Sequence, residues 1–260
     1  MKRMFCLSLP FLFLATLFAA EFWEKKEYKQ WSQKECAKLL ENSPWSKDFT
    51  LMQVSVMNAK QSQESNTRQS SVDRTSGGGD TSNATSDDGQ QLYIKYRMQF
   101  RSAVPLRQAI VRQMQIVQKY DSLSPDQKQQ FDKSAEAFLT ADFANAVVVY
   151  VTYSTNSRVV DMELARYWQS QTTDLLKNYV FLNNSKGEKV YLAQYIAGQG
   201  GDRSFQLIFP RQVNSAPFLG PQDNSLKLEF TYPIVNQIGN GRGFMEFKPD
   251  KMVVQGNIAY

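Results

Sequence analysis

The residues of this chain that could carry out chemistry are mainly carboxylates, because its 260 residues include no histidine. The absence of imidazole excludes Ser-His-Asp and Cys-His nucleophiles, histidine proton shuttles and His-containing metal sites. Two acids at a suitable separation would suffice for glycoside hydrolysis. The candidate pairs are Asp161 with Glu163, Asp121 with Asp126, and Glu229 with Glu246. Spacing alone brings no pair together, and each is more typical of solvated surface charge.

Other signatures of catalysis or cofactor binding do not occur in the sequence. Neither Ser-x-x-Lys nor Gly-x-Ser-x-Gly is present. The glycine-rich runs at 198–201 and 239–243 lack the Lys-Ser/Thr of a nucleotide cradle and lead into predicted strands, which favours strand connections. The run 87–89 lacks the ligand spacing of a calcium loop. We therefore predict no catalytic residue, no cofactor and no metal.

The first twenty residues have the layout of a secretory signal peptide. Lys2 and Arg3 precede a mostly apolar run of about 17 residues that ends at Ala20, and Glu21 follows. Such a run would barely cross a hydrocarbon core of roughly 30 Å. We predict residues 1–20 to be a cleaved signal peptide and the protein to be periplasmic or extracellular, with an uncleaved N-terminal membrane anchor as the alternative. Cleavage would leave Cys36 as the one cysteine, which excludes an intramolecular disulfide.

The periodicity of the remaining chain predicts an α+β fold. A mixed or antiparallel sheet packs with three or four helices, and the C-terminal part is rich in strands. Strands are predicted at 50–57, 92–101, 146–153, 180–183, 188–196, 204–209, 226–235, 243–247 and 252–254, with the last two joined by a turn at 248–251. Helices are predicted from a capping box at Ser32 and Glu35, over 105–120, from Ser124-Pro125, and over 159–178. In the strand 50–57, Met52 and the apolar residues that alternate with it are predicted to form the buried face, and 146–153 is a continuous apolar run. The predicted apolar faces of the last two helices consist of Phe131, Ala135, Phe138 and Leu139, and of Leu164, Trp168, Leu175 and Tyr179.

Residues 21–260 are predicted to form a single domain with a soft boundary near Tyr179. Within it, residues 58–90 are rich in Ser, Gly and Gln and contain only three apolar residues. Such a stretch cannot offset its ordering entropy by burial, so we predict a disordered insertion between two neighbouring strands. The strands that flank it would then pair.

Basic side chains form the most coherent polar feature. Without Lys2 and Arg3, the net charge of +5 falls to +3, which is too small to indicate nucleic acid. The predicted partner-binding basic face consists of Lys95, Arg97, Arg101, Arg107 and Arg112. It could meet an acidic glycan, phospholipid head groups or an acidic protein surface, although basic residues on a strand also protect sheet edges from aggregation.

Three tryptophans surround the first predicted helix. Trp23, Trp31 and Trp45 could form an exposed aromatic platform for sugar or lipid. The alternative is that they pin this helix to the body of the fold, because tryptophan usually contributes a large buried area.

The N-terminal pattern resembles that of a family of secreted bacterial proteins of the acidobacterial type. The similarity lies in Phe22-Trp23-Glu24-Lys25-Lys26 and in the WSxKExxxLLxxSPWxK-like run 31–47, and it extends to 209–211 and the C-terminal strand pair. This resemblance implies export, and it carries over no catalytic residue, cofactor or substrate.

The sequence favours an exported, non-enzymatic envelope or extracellular protein that binds a partner or ligand. One alternative is a carboxylate-dependent hydrolase of envelope or environmental polymer, which would need two acids in an aromatic-lined cleft. Another is a structural subunit of an envelope assembly, which would expose an apolar patch or strand edge.

Overall fold

The structure is a computed structural model that describes residues 21–53, 91–236 and 238–260. The predicted signal peptide (1–20), the predicted insertion (58–90) and the end of the first predicted strand (54–57) lie outside the described residues.

The described residues form an α+β fold, as predicted. The helices are α1 (Phe22–Lys25), α2 (Gln33–Glu41), α3 (Val104–Val117), α4 (Pro125–Leu139), α5 (Arg158–Ser170) and α6 (Thr173–Leu176). The first seven strands are β1 (Ser46–Met52), β2 (Tyr93–Phe100), β3 (Ala146–Thr155), β4 (Phe181–Asn184), β5 (Lys189–Tyr191), β6 (Gln194–Ala197) and β7 (Ser204–Pro210). They are followed by β8 (Gln212–Val213), β9 (Ala216–Pro217), β10 (Leu226–Thr231), β11 (Arg242–Phe247), β12 (Val253–Val254) and β13 (Asn257–Ile258).

Two antiparallel sheets form the centre of the fold. One has five strands in the order β1-β2-β3-β7-β6, and the other has four in the order β11-β10-β4-β5. The predicted apolar run of β3 lies in the middle of the first sheet, and β1 pairs with β2 as predicted. The turn predicted at 248–251 connects β11 to β12, but these two strands do not pair with each other: β11 pairs with β10, and β12 pairs with β13.

The core lies between the two sheets. In β2, the alternation of apolar and polar residues determines which side chains enter this core. Ile94, Tyr96, Met98 and Phe100 are fully buried on one face of β2. The Phe100 ring meets Phe247 of the second sheet edge-on, with ring centroids 4.7 Å apart. The sheets also approach closely at Gly243, where an added Cβ would lie 2.8 Å from the Phe49 ring.

Two of the predicted apolar faces were assigned incorrectly. Met52 is 59% exposed, whereas Phe49 and Leu51 of β1 pack against the core. The segment predicted as one helix over 159–178 is broken into α5 and α6, and its last predicted contacts, Leu175 and Tyr179, are exposed.

Helices α2 and α3 pack together near the point where β1 begins and β2 ends. Ser32 caps α2, and its hydroxyl accepts from the Glu35 amide at 3.3 Å, while Glu35 accepts from the Ser32 amide at 2.8 Å. Leu39 of α2 and Leu106 of α3 belong to the core. No helix within the described ranges is both long and apolar enough to cross a bilayer.

Candidate functional site: an apolar cleft between two helices

Helices α3 and α4 form a hairpin whose second helix begins at a strong local signal. The Ser124 hydroxyl accepts from the Gln127 amide at 3.3 Å, and the Gln127 side chain accepts from the Ser124 amide at 3.0 Å. Pro125 occupies the first turn of α4, where its missing amide costs no hydrogen bond. Tyr120, in the connection, donates its hydroxyl to the Asp132 carboxylate.

A cleft of about 600 Å³ lies between these two helices. Its volume falls within the range of roughly 300–1,000 Å³ that is typical of small-molecule sites. Most of the side chains that line it are apolar or aromatic, with amides and a hydroxyl among them. The lining residues are Arg101, Ile110, Val111, Met114, Gln118, Leu123, Gln127, Gln130, Phe131, Ser134, Ala135 and Phe138.

The cleft exists because α4 does not bury its apolar face. Phe131, Ala135, Phe138 and Leu139 were predicted to be buried, but none of the residues of α4 is. On the facing helix, Met114 is 48% exposed and Val117 is 69% exposed. Two apolar stripes therefore face one another without closing into a core.

Arg107 holds the C-terminal end of α4 in place. From α3, its Nη1 donates to the carbonyls of Phe138 (3.2 Å), Leu139 (2.7 Å) and Ala141 (3.1 Å). These carbonyls lie at or just beyond the last turn of α4, where intrahelical partners run out and the helix dipole favours a cation. Arg107 is only 5% exposed, and burial lowers its pKa.

Arg101 lines the cleft from the end of β2. Its guanidinium carbon lies 3.8 Å from the centre of the Tyr150 ring. Its Nε and Nη2 donate to Gln99 Oε1 at 3.2 and 3.1 Å. Gln99 is fixed in turn, because its Nε2 donates to the Leu40 carbonyl at 2.6 Å. Burial lowers the pKa of Arg101, and Tyr150 opposes that effect.

The five predicted basic-face residues do not share one surface. Lys95 and Arg97 lie together on β2 beside Asp48, with ion-pair distances of 2.5 and 2.8 Å. Burial raises the pKa of Asp48, but the hydrogen bonds from Arg97 and Lys95 outweigh it and lower the pKa. Arg107 is inside the hairpin, and the remaining residue, Arg112, donates to the Trp31 carbonyl at 2.9 Å. Whether Lys95 and Arg97 meet a partner stays a prediction.

The three tryptophans form a packed cluster instead of an open platform. Trp31 is 1% exposed and Trp45 is fully buried. Trp23 is half-buried and meets Trp45 edge-on, with ring centroids 5.4 Å apart. Trp31 and Trp45 therefore have the packing role that the sequence analysis gave as the alternative to a platform.

Two of the acids named from the sequence, Asp161 and Glu246, have local partners, and the Cys36 thiol is buried. Both Asp161 oxygens accept from Arg203, at 2.7 and 2.6 Å. Glu246 accepts from Ser225 and Lys248, and these hydrogen bonds lower its pKa. Cys36 is buried, which raises the pKa of its thiol to about 11. Within the described ranges, no cluster of three or more Cys, Asp or Glu side chains could hold a metal ion.

No protein-family model matches this chain, and no curated protein or solved structure is significantly similar to it.

The sequence indicates Arg101 as a candidate binding residue, but it does not indicate the cleft that Arg101 lines. The available signal was that two consecutive helices each carry an apolar stripe next to a short connection. Those stripes were interpreted as core because periodicity shows where apolar residues lie and not what covers them.

Proposed function

We propose that this protein is an exported binding protein that takes up the alkyl chain of a small amphiphile in the cleft between α3 and α4. The observation that carries the proposal is the cleft itself, a space of about 600 Å³ lined from both helices by apolar side chains. Export is supported by the basic and apolar pattern of residues 1–20.

The chemistry of the lining favours an alkyl chain. Ile110 and Met114 face Phe131 and Phe138 across the cleft, and such surfaces gain about 0.8 kcal/mol for each methylene that they remove from water. Met114 is unbranched and adapts its shape to a chain of variable conformation. Exposed apolar surface of this kind on a folded protein marks a binding site more often than a structural accident.

The polar lining residues suit a ligand with one polar end. Gln118 and Gln127 lie near the connection between the helices, and Gln130 and Ser134 follow along α4. Uncharged amides and a hydroxyl can hold water or an ordered polar group without the desolvation cost of a charge. An amphiphile would place its chain along the aromatic side chains and leave its polar end near such groups or near Arg101.

The test measures the binding of dodecanol to the full chain by displacement of the neutral dye phenylnaphthylamine. We expect saturable displacement, and we expect Phe131→Ala to weaken binding about five-fold or more, because it removes roughly 1 kcal/mol of apolar contact. Phe244→Ala is the matched control, since Phe244 is 61% exposed and lies on β11, outside the cleft.

Two results would contradict the proposal. One is the absence of dodecanol binding by the folded wild-type chain. The other is an equal loss of affinity in the Phe131 and Phe244 variants, which would place the ligand elsewhere. A native mass spectrum adds a further check, because a dimer that Phe131→Ala dissociates would make a second copy of the chain the occupant of the cleft.

A further inference from the structure

The lining of the cleft carries one charge among the described residues, and that charge is positive. Arg101 contributes it, and the other lining side chains are apolar, amide or hydroxyl. The cleft therefore carries a positive charge, which the binding of an alkyl chain alone does not need.

Arg101 lines an apolar cleft and has no anionic partner among the described residues. Arg97 pairs with Asp48 and Glu41, and Arg203 pairs with Asp161. No described carboxylate forms an ion pair with Arg101, whose polar contacts are the Gln99 side-chain oxygen and the face of the Tyr150 ring. A half-buried cation without a counterion is costly, and the cost falls when an anion binds.

The guanidinium of Arg101 is also fixed in orientation. The Tyr150 ring supports one face of it, and the Gln99 oxygen holds two of its N–H groups. A guanidinium has five N–H donors, so three remain for a ligand. Little rotamer entropy is left to lose on binding, and the planar group suits the two oxygens of a carboxylate.

We propose that the ligand is a single-chain carboxylic acid, whose carboxylate pairs with Arg101 while its alkyl chain fills the α3–α4 cleft. This inference rests on the proposed function, since it adds a head group to the chain that the cleft takes up. Burial of Arg101 beside apolar side chains strengthens the ion pair, because the local dielectric is lower than that of water.

The test compares laurate, dodecanol and dodecyltrimethylammonium, which share one alkyl chain and differ in head group. Affinities are measured by dye displacement at about pH 8, where a carboxylate is ionised. We expect laurate to bind about ten- to hundred-fold more tightly than dodecanol, as for a charge-assisted hydrogen-bonded pair, and the cation to bind most weakly.

Variants then assign the head-group preference to Arg101. Arg101→Gln should bring the ratio of laurate affinity to dodecanol affinity down to about one, whereas Arg101→Lys should recover part of the preference. Arg97→Gln is the matched control, because it removes a guanidinium from the same strand region outside the cleft lining. Thermal unfolding of each variant verifies that it is folded.

The outcomes separate this inference from the proposed function. If laurate and dodecanol bind the wild-type chain equally, or if Arg101→Gln leaves the preference intact, the carboxylate pairing is wrong and the alkyl-binding function stands. If Arg101→Gln weakens the binding of dodecanol as much as the binding of laurate, Arg101 shapes the cleft but does not recognise the head group, and the inference again fails. If no probe binds, both proposals fail.

Discussion

Arg107 Nη1 lies 2.7 Å from the carbonyl oxygen of Leu139, and this contact joins the start of α3 to the end of α4. It matters because α4 has no buried residue of its own. The apolar side of the helix is only half-covered, so a large share of its attachment depends on the arginine. The geometry of the cleft therefore depends on a side chain that lies outside its lining.

Replacing Arg107 with methionine should loosen α4 and destabilise the protein by about 2 kcal/mol or more, because three partly buried carbonyls lose a charged donor. Urea unfolding measures the loss, and limited proteolysis in the connection 118–124 reports the loosening. Arg97→Met is the control, since Arg97 makes surface ion pairs that typically contribute under about 1 kcal/mol. Similar losses in both variants would mean that Arg107 does not anchor the helix.

Glu35 should make the protein sensitive to acid. The Lys26 ammonium, 2.6 Å away, and the Ser32 amide lower the pKa of Glu35 from 4.5 to about 2. Because this folded-state pKa is depressed, the carboxylate stabilises the fold fully above about pH 4.5 and loses that effect as the pH falls toward 2.

Glu35→Gln tests this dependence, since glutamine keeps the capping-box geometry but does not titrate. Urea unfolding of both proteins across this pH range should show the wild type more stable at neutral pH and the difference vanishing near pH 2. Added salt should reduce the difference, because the Lys26 pair is solvent-accessible. A difference that stays constant with pH would contradict the assignment to ionisation.

The Cys36 thiol should be unreactive in the folded protein. Burial raises its pKa to about 11, so little thiolate forms at neutral pH and reagents cannot reach it. Labelling the Cys6→Ser chain with an aromatic disulfide should be slow in buffer and fast in denaturant. Leu39→Ala, which leaves a cavity in the same helix, should speed labelling by making the protein open more often. Native labelling as fast as that of free cysteine would contradict this expectation.

Strands could be located from the sequence more reliably than their inward faces. The ten-residue alternation around β2 fixed both its position and its buried side, because a strand repeats every second residue. For β1 the alternating pattern was shorter, and the face that was predicted to be buried, which contains Met52, points outward. A shift of one residue reverses the faces of a strand, and Phe49 supplied the true core contact.

The candidate site could be predicted only in fragments. Ser124 and Pro125 correctly marked the start of α4, since capping is a local property. The partners of Arg107 lie more than 30 residues along the chain, and no local pattern announces them. Arg101 was grouped with its neighbours by charge, yet its distinguishing property is that it lines the cleft, which only the folded arrangement reveals.

The pairing of β1 with β2 has a consequence for how the chain can change over time. The backbone N–H of Gln53 donates to the Leu92 carbonyl at 3.0 Å, and the side-chain Nε2 of Gln91 donates to the Gln53 carbonyl at 2.5 Å. Gln53 and Gln91, the described residues on either side of 54–90, therefore lie next to each other. Closure entropy changes slowly with the number of residues between such points. We therefore expect the chain to tolerate an insertion, a deletion or a grafted foreign peptide between Gln53 and Gln91 while β1 and β2 stay paired.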